Sequence, residues 1–349
     1  MTDFNLECPV TGYANTDVIT LSHGSGGEST QRLIMNMFAK AFPNLQTDTD
    51  GAGILCGRTM AFTTDSFVVD PIFFPGGDIG SLSVHGTVND LAMMGAKPLY
   101  LSVAFILEEG FLLKDLQTIV TSMSAAVKEA GVSIVTGDTK VVEKGHGHGI
   151  YINTSGIGMV LAPVAPNPDR IHVGDKVIIS GDVARHGMAI MSARNGIEID
   201  PPIFSDSASI NRSVMSLYDA GIHPYCMRDV TRGGVSAALN EIARARSTPI
   251  HIRISEESVP VEDNVRGLAE LLGVDPLHIA SEGRFILFAE PTLAKKAVNT
   301  LRKFPGGEKA AIIGEVVAEH TSGLVTAKSL LGSEKIIYMP AGEILPRIC

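Results

Sequence analysis

Residues 63–98 read TTDSFVVDPIFFPGGDIGSLSVHGTVNDLAMMGAKP, and this stretch indicates the fold class. Its first residues belong to a run that predicts a strand over 60–69, and proline and glycine then mark a turn. The residues after the turn predict a helix over 80–94 that is apolar apart from Asp90 and its neighbours. A strand followed by a largely apolar helix is typical of an α/β domain.

The same alternation continues on both sides of this stretch and divides the chain into two α/β units. Between 48 and 160 we predict strands over 60–69, 99–107, 132–136 and 151–160, and helices over 80–94 and 113–130. Three prolines within 163–168 then mark a linker, and a second α/β unit follows. The predicted divisions are a variable leader (1–22), a first domain (23–162), a linker (163–170), a second domain (171–338) and a mobile tail (339–349).

Composition excludes several classes of function. The chain has 349 residues and a formal net charge of -10, which argues against a nucleic-acid-binding surface. No apolar run is long enough to span a membrane, and the first residues lack the features of a signal peptide. The four cysteines show no CxxC spacing, so neither a disulfide framework nor a zinc site is indicated. We expect a cytoplasmic protein with reduced thiols.

Carboxylates concentrate beside glycines or at predicted strand ends. Asp50, Asp65, Asp90 and Asp138 stand in such settings in the first domain, and Asp229 follows in the second. Each one alone is most simply a helix-cap or turn aspartate. Together they suit Mg²⁺, which prefers oxygen ligands and usually bridges to phosphate, and Asp90 is the most telling because an unpaired carboxylate is costly inside an apolar helix.

Other segments carry weaker signals. The run His23-Gly24-Ser25-Gly26-Gly27 opens a predicted helix and can wrap phosphate, although a flexible linker is the more common explanation. Lys140, on a predicted loop, and Glu282 are candidates for phosphate contact or proton transfer, against the simpler interpretation of surface residues. The run GHGHG at 145–149 has too few ligands for a metal site and is interpreted as a hairpin loop. His85 and His186 are expected to be structural or solvent-exposed.

The sequence ends in Pro346-Arg347-Ile348-Cys349. Pro340 and Pro346 disfavour helix and keep this segment extended. An extended segment that ends in a nucleophilic thiol suits an arm that reaches into a pocket. The alternative is a frayed terminus with an incidental cysteine.

These motifs together resemble the HypE family of hydrogenase maturation factors. That family belongs to the PurM-like superfamily typified by aminoimidazole ribonucleotide synthetase, selenophosphate synthetase and thiamine monophosphate kinase. The segments that carry the resemblance are HGSGG (23–27), TTDSFVVDPIFFPGGDIG (63–80), VNDLAMMGAKP (88–98), ILEEG (106–110), GDTKVV (137–142), RDVTRGG (228–234), IGEV (313–316) and PRIC (346–349). The ending PRIC is what resembles HypE in particular.

The resemblance implies two PurM-like α/β domains, a first sheet that forms a β-barrel with a dimer mate, and ATP–Mg²⁺ in the cleft. The implied nucleotide-binding residues are His23, Gly24, Gly26, Gly27, Asp65, Asn89, Asp90, Asp138, Thr139, Lys140 and Thr231. The implied metal ligands are Asp50, Asp65, Asp90, Asp138 and Asp229. Where the family often has two adjacent aspartates this chain has Asp50-Gly51, which leaves the metal stoichiometry open.

The resemblance also implies a reaction. A carbamoyltransferase, HypF, places a carbamoyl group on the Cys349 sulfur, and ATP-dependent dehydration of this thiocarboxamide leaves a thiocyanate. That group is the source of the cyanide ligands of the NiFe-hydrogenase iron, with a HypC–HypD complex as acceptor. Glu282 and Lys140 are the candidate bases. The alternatives are a kinase or synthetase related to selenophosphate synthetase, and a non-enzymatic carrier that binds metal through its thiol.

Overall fold

The computed structural model describes residues 27–33, 35, 52–55, 57, 59–329, 332–342, 345 and 347–349. Within them the first domain contains helices α1 (Glu28–Leu33), α2 (Ile79–Met93) and α3 (Leu113–Ala130). Its strands are β1 (Ala52–Leu55), β2 (Thr59–Phe67), β3 (Phe73–Phe74), β4 (Gly77–Asp78), β5 (Ala96–Glu108), β6 (Ser133–Val142) and β7 (Ile150–Val160). The main sheet has the order β1-β2-β7-β5-β6, in which only β5 and β6 run parallel.

The second domain is built on a seven-stranded sheet of order β14-β13-β10-β12-β8-β11-β9. Its strands are β8 (Lys176–Ile179), β9 (Cys226–Asp229), β10 (Ile250–Ser255), β11 (Phe285–Ala289), β12 (Ala311–Glu319), β13 (Leu324–Lys328) and β14 (Glu334–Ile336). Its helices are α4 (Arg185–Asn195), α5 (Asn211–Asp219), α6 (Gly234–Ala245), α7 (Asp263–Leu272) and α8 (Pro291–Leu301). Short 3₁₀ turns occur at Pro168–Arg170, Glu256–Ser258 and Pro276–His278. Among the described residues, no helix has the length and apolar character needed to cross a membrane.

Helix α2 lies between the two domains, and this position explains its composition. Of its 15 residues only Ser81 and Asp90 are not fully buried. Leu82, Val84 and Val88 belong to the core that includes β2, β5 and β7, whereas Ala92 and Met93 pack with residues of the second domain. A helix covered on both sides is apolar all round, as the sequence predicts.

The start of α2 is fixed by Asp78. Its Oδ1 accepts hydrogen bonds from the backbone N–H groups of Gly80 (2.7 Å) and Ser81 (3.0 Å), and the Ser122 hydroxyl of α3 donates to it at 2.6 Å. This side chain therefore satisfies the first free N–H groups of α2 and also links α2 to α3.

Two sequence-based expectations about the first domain are wrong. Strand β6 extends to Val142, so Asp138 and Lys140 lie inside a strand and not on a loop after it. The segment 145–149 is not a hairpin loop, because β6 and β7 are not neighbours but lie on opposite sides of β5. The connection crosses the end of β5, where the Glu108 carboxylate accepts hydrogen bonds from Gly145 N (2.6 Å) and Gly149 N (2.9 Å). These bonds lower the pKa of Glu108.

The amide of Asn89 connects the domains. Its Nδ2 donates to the carbonyl oxygens of Ala208 (3.0 Å) and Glu282 (3.1 Å), and its Oδ1 accepts from the backbone N–H of Ile210 (2.9 Å). Asn89 is 2% exposed. One side chain of the first domain thus holds two separate segments of the second domain in register.

We predict that Asn89→Ala lowers the free energy of unfolding by about 3 kcal/mol, because it leaves three buried backbone groups without their partner. Urea denaturation followed by circular dichroism measures this change. Asn195→Ala is the matched control: Asn195 is exposed and donates to the carbonyl oxygen of Met191 in its own helix, so its removal is expected to cost less than about 0.5 kcal/mol. Equal effects of the two substitutions would contradict the interdomain role.

Candidate active site

The last residues of the chain are docked along the segment that follows β2. The backbone N–H of Val68 donates to the carbonyl of Cys349 (3.1 Å), and the N–H of Asp70 donates to the carbonyl of Arg347 (3.2 Å). This pairing of alternate residues in opposite directions is an antiparallel pattern. The Ile348 side chain is 4% exposed and packs in the core of the first domain.

Docking places the Cys349 thiol in a pocket to which both domains contribute charged groups. Asp65 of β2 comes from the first domain, and Asp229, Arg232 and Glu282 come from the second. These four groups interact electrostatically with the thiol, and Cys349 is the largest influence on Arg232. The sequence-predicted Cys349, Glu282, Asp65 and Asp229 therefore come together around a single guanidinium group.

The position of Arg232 follows from the residues on either side of it. Asp229 ends β9, and α6 begins at Gly234, so Arg232 lies in the turn between a strand and a helix. Gly233 and Gly234 have φ values of 76° and 61°. A Cβ at Gly234 would lie 2.7 Å from the carbonyl oxygens of Leu277 and Ile279. Both the conformation and the close approach require glycine, which explains the run RGG.

Burial is the main influence on the ionisation of the groups in the pocket, and the charges of neighbouring groups modify it. Burial raises the pKa of the Cys349 thiol to about 12; the Arg232 guanidinium opposes the shift, while Glu282, Asp65 and Asp229 add to it. Burial and the charges of Asp229, Asp65 and Asp206 likewise raise the pKa of Glu282 well above its ordinary value. The pKa of Asp65 is raised by burial against the effect of Arg232. The docked thiol is therefore neutral at physiological pH.

Asp65 of β2 and Asp90 of α2 lie on the same side of the first sheet, at the contact between that strand and that helix. The carboxylate of Asp65 lies over Gly86 of α2, where an added Cβ would be 3.4 Å from Asp65 Oδ2 and only 2.8 Å from the ring of Phe67. Asp90 is one helical turn further along, and Thr63 donates to its Oδ2 at 2.8 Å. The two aspartates thus share the junction of β2 and α2.

Three predicted residues lie elsewhere in this chain: Asp138, Thr139 and Lys140 on the edge strand β6. Strand β6 is three strand positions from β2, a separation of about 14 Å. The Asp138 and Lys140 side chains are 67% and 74% exposed and form a 3.9 Å ion pair. They lie on the helix-free face of the sheet, opposite to Asp65.

The remaining predicted residues divide into those with other contacts and those outside the described part of the chain. Gly27 lies against Pro340, whose carbonyl oxygen would be 2.4 Å from an added Cβ. Thr231 is half-buried beside Arg232, and Asn89 is the interdomain link. His23, Gly24, Gly26 and Asp50 lie outside the described residues. Among the residues the structure does describe, no group of three or more His, Cys, Asp or Glu side chains is arranged to hold a metal ion.

Three further residues define this site: Arg232 and Arg194, to which sequence reasoning assigned no role, and His186, which was expected to be structural or solvent-exposed and is buried. Arg232 carries the positive charge of the pocket. His186 Nε2 and Arg194 Nη2 donate to the carbonyl oxygens of Ile348 and Arg347, both at 2.8 Å. The sequence offered a signal only for Arg232, which follows Asp229 and precedes two glycines in the motif RDVTRGG. Helix α4, which carries His186 and Arg194, contains no comparable motif.

Comparison with known proteins is consistent with this arrangement. Residues 49–160 match the family model of the AIR synthase related protein N-terminal domain, and residues 172–326 match that of its C-terminal domain. The carbamoyl dehydratase HypE of Bradyrhizobium diazoefficiens is 47% identical over 336 residues, which cover 95% of this chain and 96% of the relative. The chain belongs to the HypE family of carbamoyl dehydratases.

Two solved structures of HypE proteins extend the comparison. The crystal structure of a HypE–HypF complex aligns with a TM-score of 0.83 at 46% identity and covers 88% of this chain and 99% of that one. The structure of a HypE in complex with ATP aligns with a TM-score of 0.80 at 45% identity and covers 95% and 100%. The expected two-domain PurM-like α/β fold is confirmed. Cytoplasmic location stays a prediction.

We predict that Ile348→Asp speeds alkylation of Cys349 by iodoacetamide at pH 8 at least 100-fold. A charge in place of this buried side chain releases the tail, and an exposed thiol with a pKa near 8.5 holds far more of the reactive thiolate than one with a pKa of about 12. Mass spectrometry of the tail peptide measures the rate.

The pH profile gives the sign of the effect. Because docking raises the pKa of the thiol, its contribution to docking is complete below about pH 8.5 and declines above it. The rate in the unaltered chain should therefore still rise above pH 10, whereas that of Ile348→Asp should level off above about pH 9. Ile336→Asp, at an exposed isoleucine of β14, is the matched control. Equal rates in all three proteins would exclude a docked, protonated thiol.

Proposed function

We propose that this chain carries a carbamoyl group on the Cys349 sulfur as a thiocarboxamide and converts it to a thiocyanate in an ATP-dependent dehydration. The observation that carries the proposal is the position of the Cys349 thiol, which is docked among Arg232, Glu282, Asp65 and Asp229. Membership in the HypE family supplies the reaction class. The thiocyanate is the source of the cyanide ligands of the NiFe-hydrogenase iron.

The reaction balances without a redox partner. The amide oxygen of the thiocarboxamide is a poor leaving group, and transfer of the γ-phosphoryl group of ATP to that oxygen, with release of ADP, makes it a good one. Cleavage of the C–O bond and removal of the two amide protons leave S–C≡N, ADP and phosphate. The oxygen lost from the amide leaves in the phosphate, so the net change is the removal of water.

The carboxylates suit Mg–ATP as the source of that phosphoryl group. Mg²⁺ usually takes one or two carboxylates together with phosphate oxygens and water. Asp65 and Asp90 at the junction of β2 and α2 can supply this pair without a preformed cage. Arg232, beside the Cys349 sulfur, can stabilise negative charge that develops on the amide oxygen.

Glu282 is the candidate base that this chain places beside the thiol. It is 3% exposed, and among the described residues its Oε1 atom has no hydrogen-bond partner. It must lose its proton before it can act as a base. Burial raises its pKa, and the charges of Asp229, Asp65 and Asp206 add to this shift, so a Mg²⁺ ion held by Asp65 would favour the loss of that proton. Lys140 can take part only from a second subunit, since within one chain it faces away from Cys349.

The proposed cycle needs a partner that donates the carbamoyl group to Cys349 and a partner that accepts the product, and it needs the tail to alternate between a docked and a released position. HypF is the proposed carbamoyl donor, supported by the solved HypE–HypF complex, and a HypC–HypD complex is the proposed acceptor. Carbamoylation needs a thiolate, which the docked thiol does not provide. The tail therefore leaves the pocket to be loaded, returns for dehydration, and leaves again to deliver the product.

The decisive experiment is the intact mass of the chain with its carbamoyl donor system, before and after Mg–ATP. We expect one added carbamoyl group on Cys349, then loss of 18 Da, the mass of one water, on addition of ATP. In Glu282→Gln the carbamoyl group should load normally while the rate of water loss falls at least 100-fold, the range for removal of a general base. Peptide mapping locates both changes on the tail.

Glu257→Gln is the matched control, because Glu257 is exposed and outside the pocket. Turnover of ATP on a small molecule with Cys349 unmodified would replace the proposal with a kinase or synthetase related to selenophosphate synthetase. Binding of metal by the Cys349 thiol with no use of ATP would replace it with a metal carrier.

We also propose that the first sheet pairs with that of a second chain. Its helix-free face exposes Phe62 of β2, Ile157 of β7 and Tyr100 of β5, which lie side by side on three adjacent strands, and Ile106 further along β5. Asp138 and Lys140 lie on the same face, so pairing would turn both toward the partner. This arrangement is the β-barrel that the resemblance implies.

We predict that Tyr100→Glu converts the dimer to a monomer, because a charge would be buried in the apolar interface. Size-exclusion chromatography with light scattering measures the mass. Tyr338→Glu is the matched control, since Tyr338 is 69% exposed and lies in the second domain. A monomeric unaltered chain, or a dimer that survives Tyr100→Glu, would argue against pairing through this face.

A further inference from the structure

The tail is held mainly through its main chain. The carbonyl oxygens of Arg347, Ile348 and Cys349 all accept hydrogen bonds: the first from Asp70 N and Arg194 Nη2, the second from His186 Nε2, the third from Val68 N. These donors come from the segment after β2 and from α4 of the second domain. Sheet edges also bind peptides through main-chain hydrogen bonds, but here Arg347, with a φ of 49°, departs from the extended backbone of such a strand.

Two side chains of the tail add apolar contacts. Ile348 packs in the core of the first domain, and Leu345 packs against both that core and the cluster around α4 and α7. A Cβ at Gly187 of α4 would lie 3.3 Å from Leu345 Cδ1, so this glycine brings α4 close to the tail. The groove, which we define as Val68–Asp70, His186, Gly187 and Arg194, therefore combines main-chain hydrogen bonds with two apolar sites.

The His186 imidazole is oriented toward the tail by contacts that do not involve the tail itself. A carbonyl oxygen can only accept a hydrogen bond, so Nε2 carries the proton and Nδ1 accepts from the Ser205 hydroxyl at 2.8 Å. Ser205 Oγ in turn accepts from Ser207 N at 3.0 Å, and the Phe74 ring meets the imidazole edge-on at 5.4 Å. Burial lowers the pKa of His186, which keeps the imidazole neutral.

Arg194 completes the groove by holding both strands of the pairing. It donates to the carbonyl oxygen of Asp70 as well as to that of Arg347. Arg347 itself donates from Nε to the carbonyl of Val68 at 2.9 Å. The contacts on the tail thus require apolar side chains at the positions of Leu345 and Ile348 and a left-handed backbone at Arg347, whose φ is 49°. All of them are made by residues 345 and 347–349 themselves.

We infer that this groove is a peptide-binding site that takes the segment Leu-Pro-Arg-Ile-Cys from a second copy of the chain as well as from its own. The inference rests on the proposed function only for the chemistry that follows binding. Its consequence is that the dehydratase recognises its substrate as a short peptide, selected by the apolar residue before the cysteine, and can act on a tail supplied in trans.

The affinity can be bounded from the tether. A short flexible linker gives an effective concentration of the order of millimolar, so a tail that stays docked in its own chain implies a Kd below about 1 mM for the free peptide. The binding assay uses a full-length chain whose own tail is disabled by Leu345→Asp and Ile348→Asp, leaving the groove intact. Fluorescence anisotropy measures binding of a labelled Leu-Pro-Arg-Ile-Cys peptide.

We expect a sub-millimolar Kd, at least tenfold weaker binding when aspartate replaces the isoleucine of the peptide, and about fivefold weaker binding to the tail-disabled chain with His186→Ala. His223→Ala, at an exposed histidine, is the matched protein control. Replacement of the isoleucine in the peptide tests the specificity of the groove without any further change in the protein, so a loss of binding there cannot result from misfolding. Equal binding of the two peptides, or no binding below about 5 mM, would overturn the inference.

A second arm separates this inference from the proposed function. The same peptide, S-carbamoylated on its cysteine, is incubated with the tail-disabled chain and Mg–ATP, and its mass is followed. Loss of 18 Da from the peptide would establish action in trans. If the unaltered chain dehydrates its own tail but the peptide neither binds nor reacts, the inference fails and the proposed function stands. If the peptide binds selectively but neither substrate loses water, the groove stands and the proposed function fails.

Discussion

The site depends on the hydrogen bonds made by one buried amide. Asn89 holds the segment 208–210 and the carbonyl of Glu282 against α2. Asp90, the next residue, faces β2, so a single turn of helix fixes both the aspartate junction and the position of Glu282. The pocket around Cys349 draws groups from both domains, and their relative placement therefore follows from this contact. A polar residue inside an apolar helix is retained because its partners lie in the other domain.

In the pocket, three carboxyl groups surround a single guanidinium group. Arg232 faces Asp65, Asp229 and Glu282. Burial raises the pKa of both Asp65 and Glu282, Arg232 opposes both shifts, and the charges of Asp229, Asp65 and Asp206 raise the pKa of Glu282 further. Such an arrangement attracts cations and keeps a thiol protonated. The docked chain is thus suited to a neutral group on sulfur, such as a thiocarboxamide, and unsuited to the thiolate that must first acquire it.

Much of the fold was predictable because it rests on local pattern. Helix α3 begins and ends where its apolar spacing and Gly131 indicate, and α2 and β7 agree to within a residue. The length of β6 was not predictable, since an edge strand with exposed polar side chains has no apolar alternation. Sheet order was also beyond local pattern: it places β6 three strand positions from β2. The register of β6 against β5 then turns Asp138 and Lys140 to the face opposite to Asp65. The groove could not be predicted either, because main-chain hydrogen bonds place few requirements on the identity of the side chains.

The docked position of the Cys349 thiol also affects how readily this cysteine is oxidised. Oxidation of cysteine to sulfenic acid and beyond proceeds through the thiolate and requires access to the sulfur. A cysteine on an exposed tail would meet both conditions, whereas docked Cys349 is protonated and packed against the core of the first domain. Docking therefore lowers both the fraction of thiolate at Cys349 and the access of an oxidant such as peroxide to its sulfur.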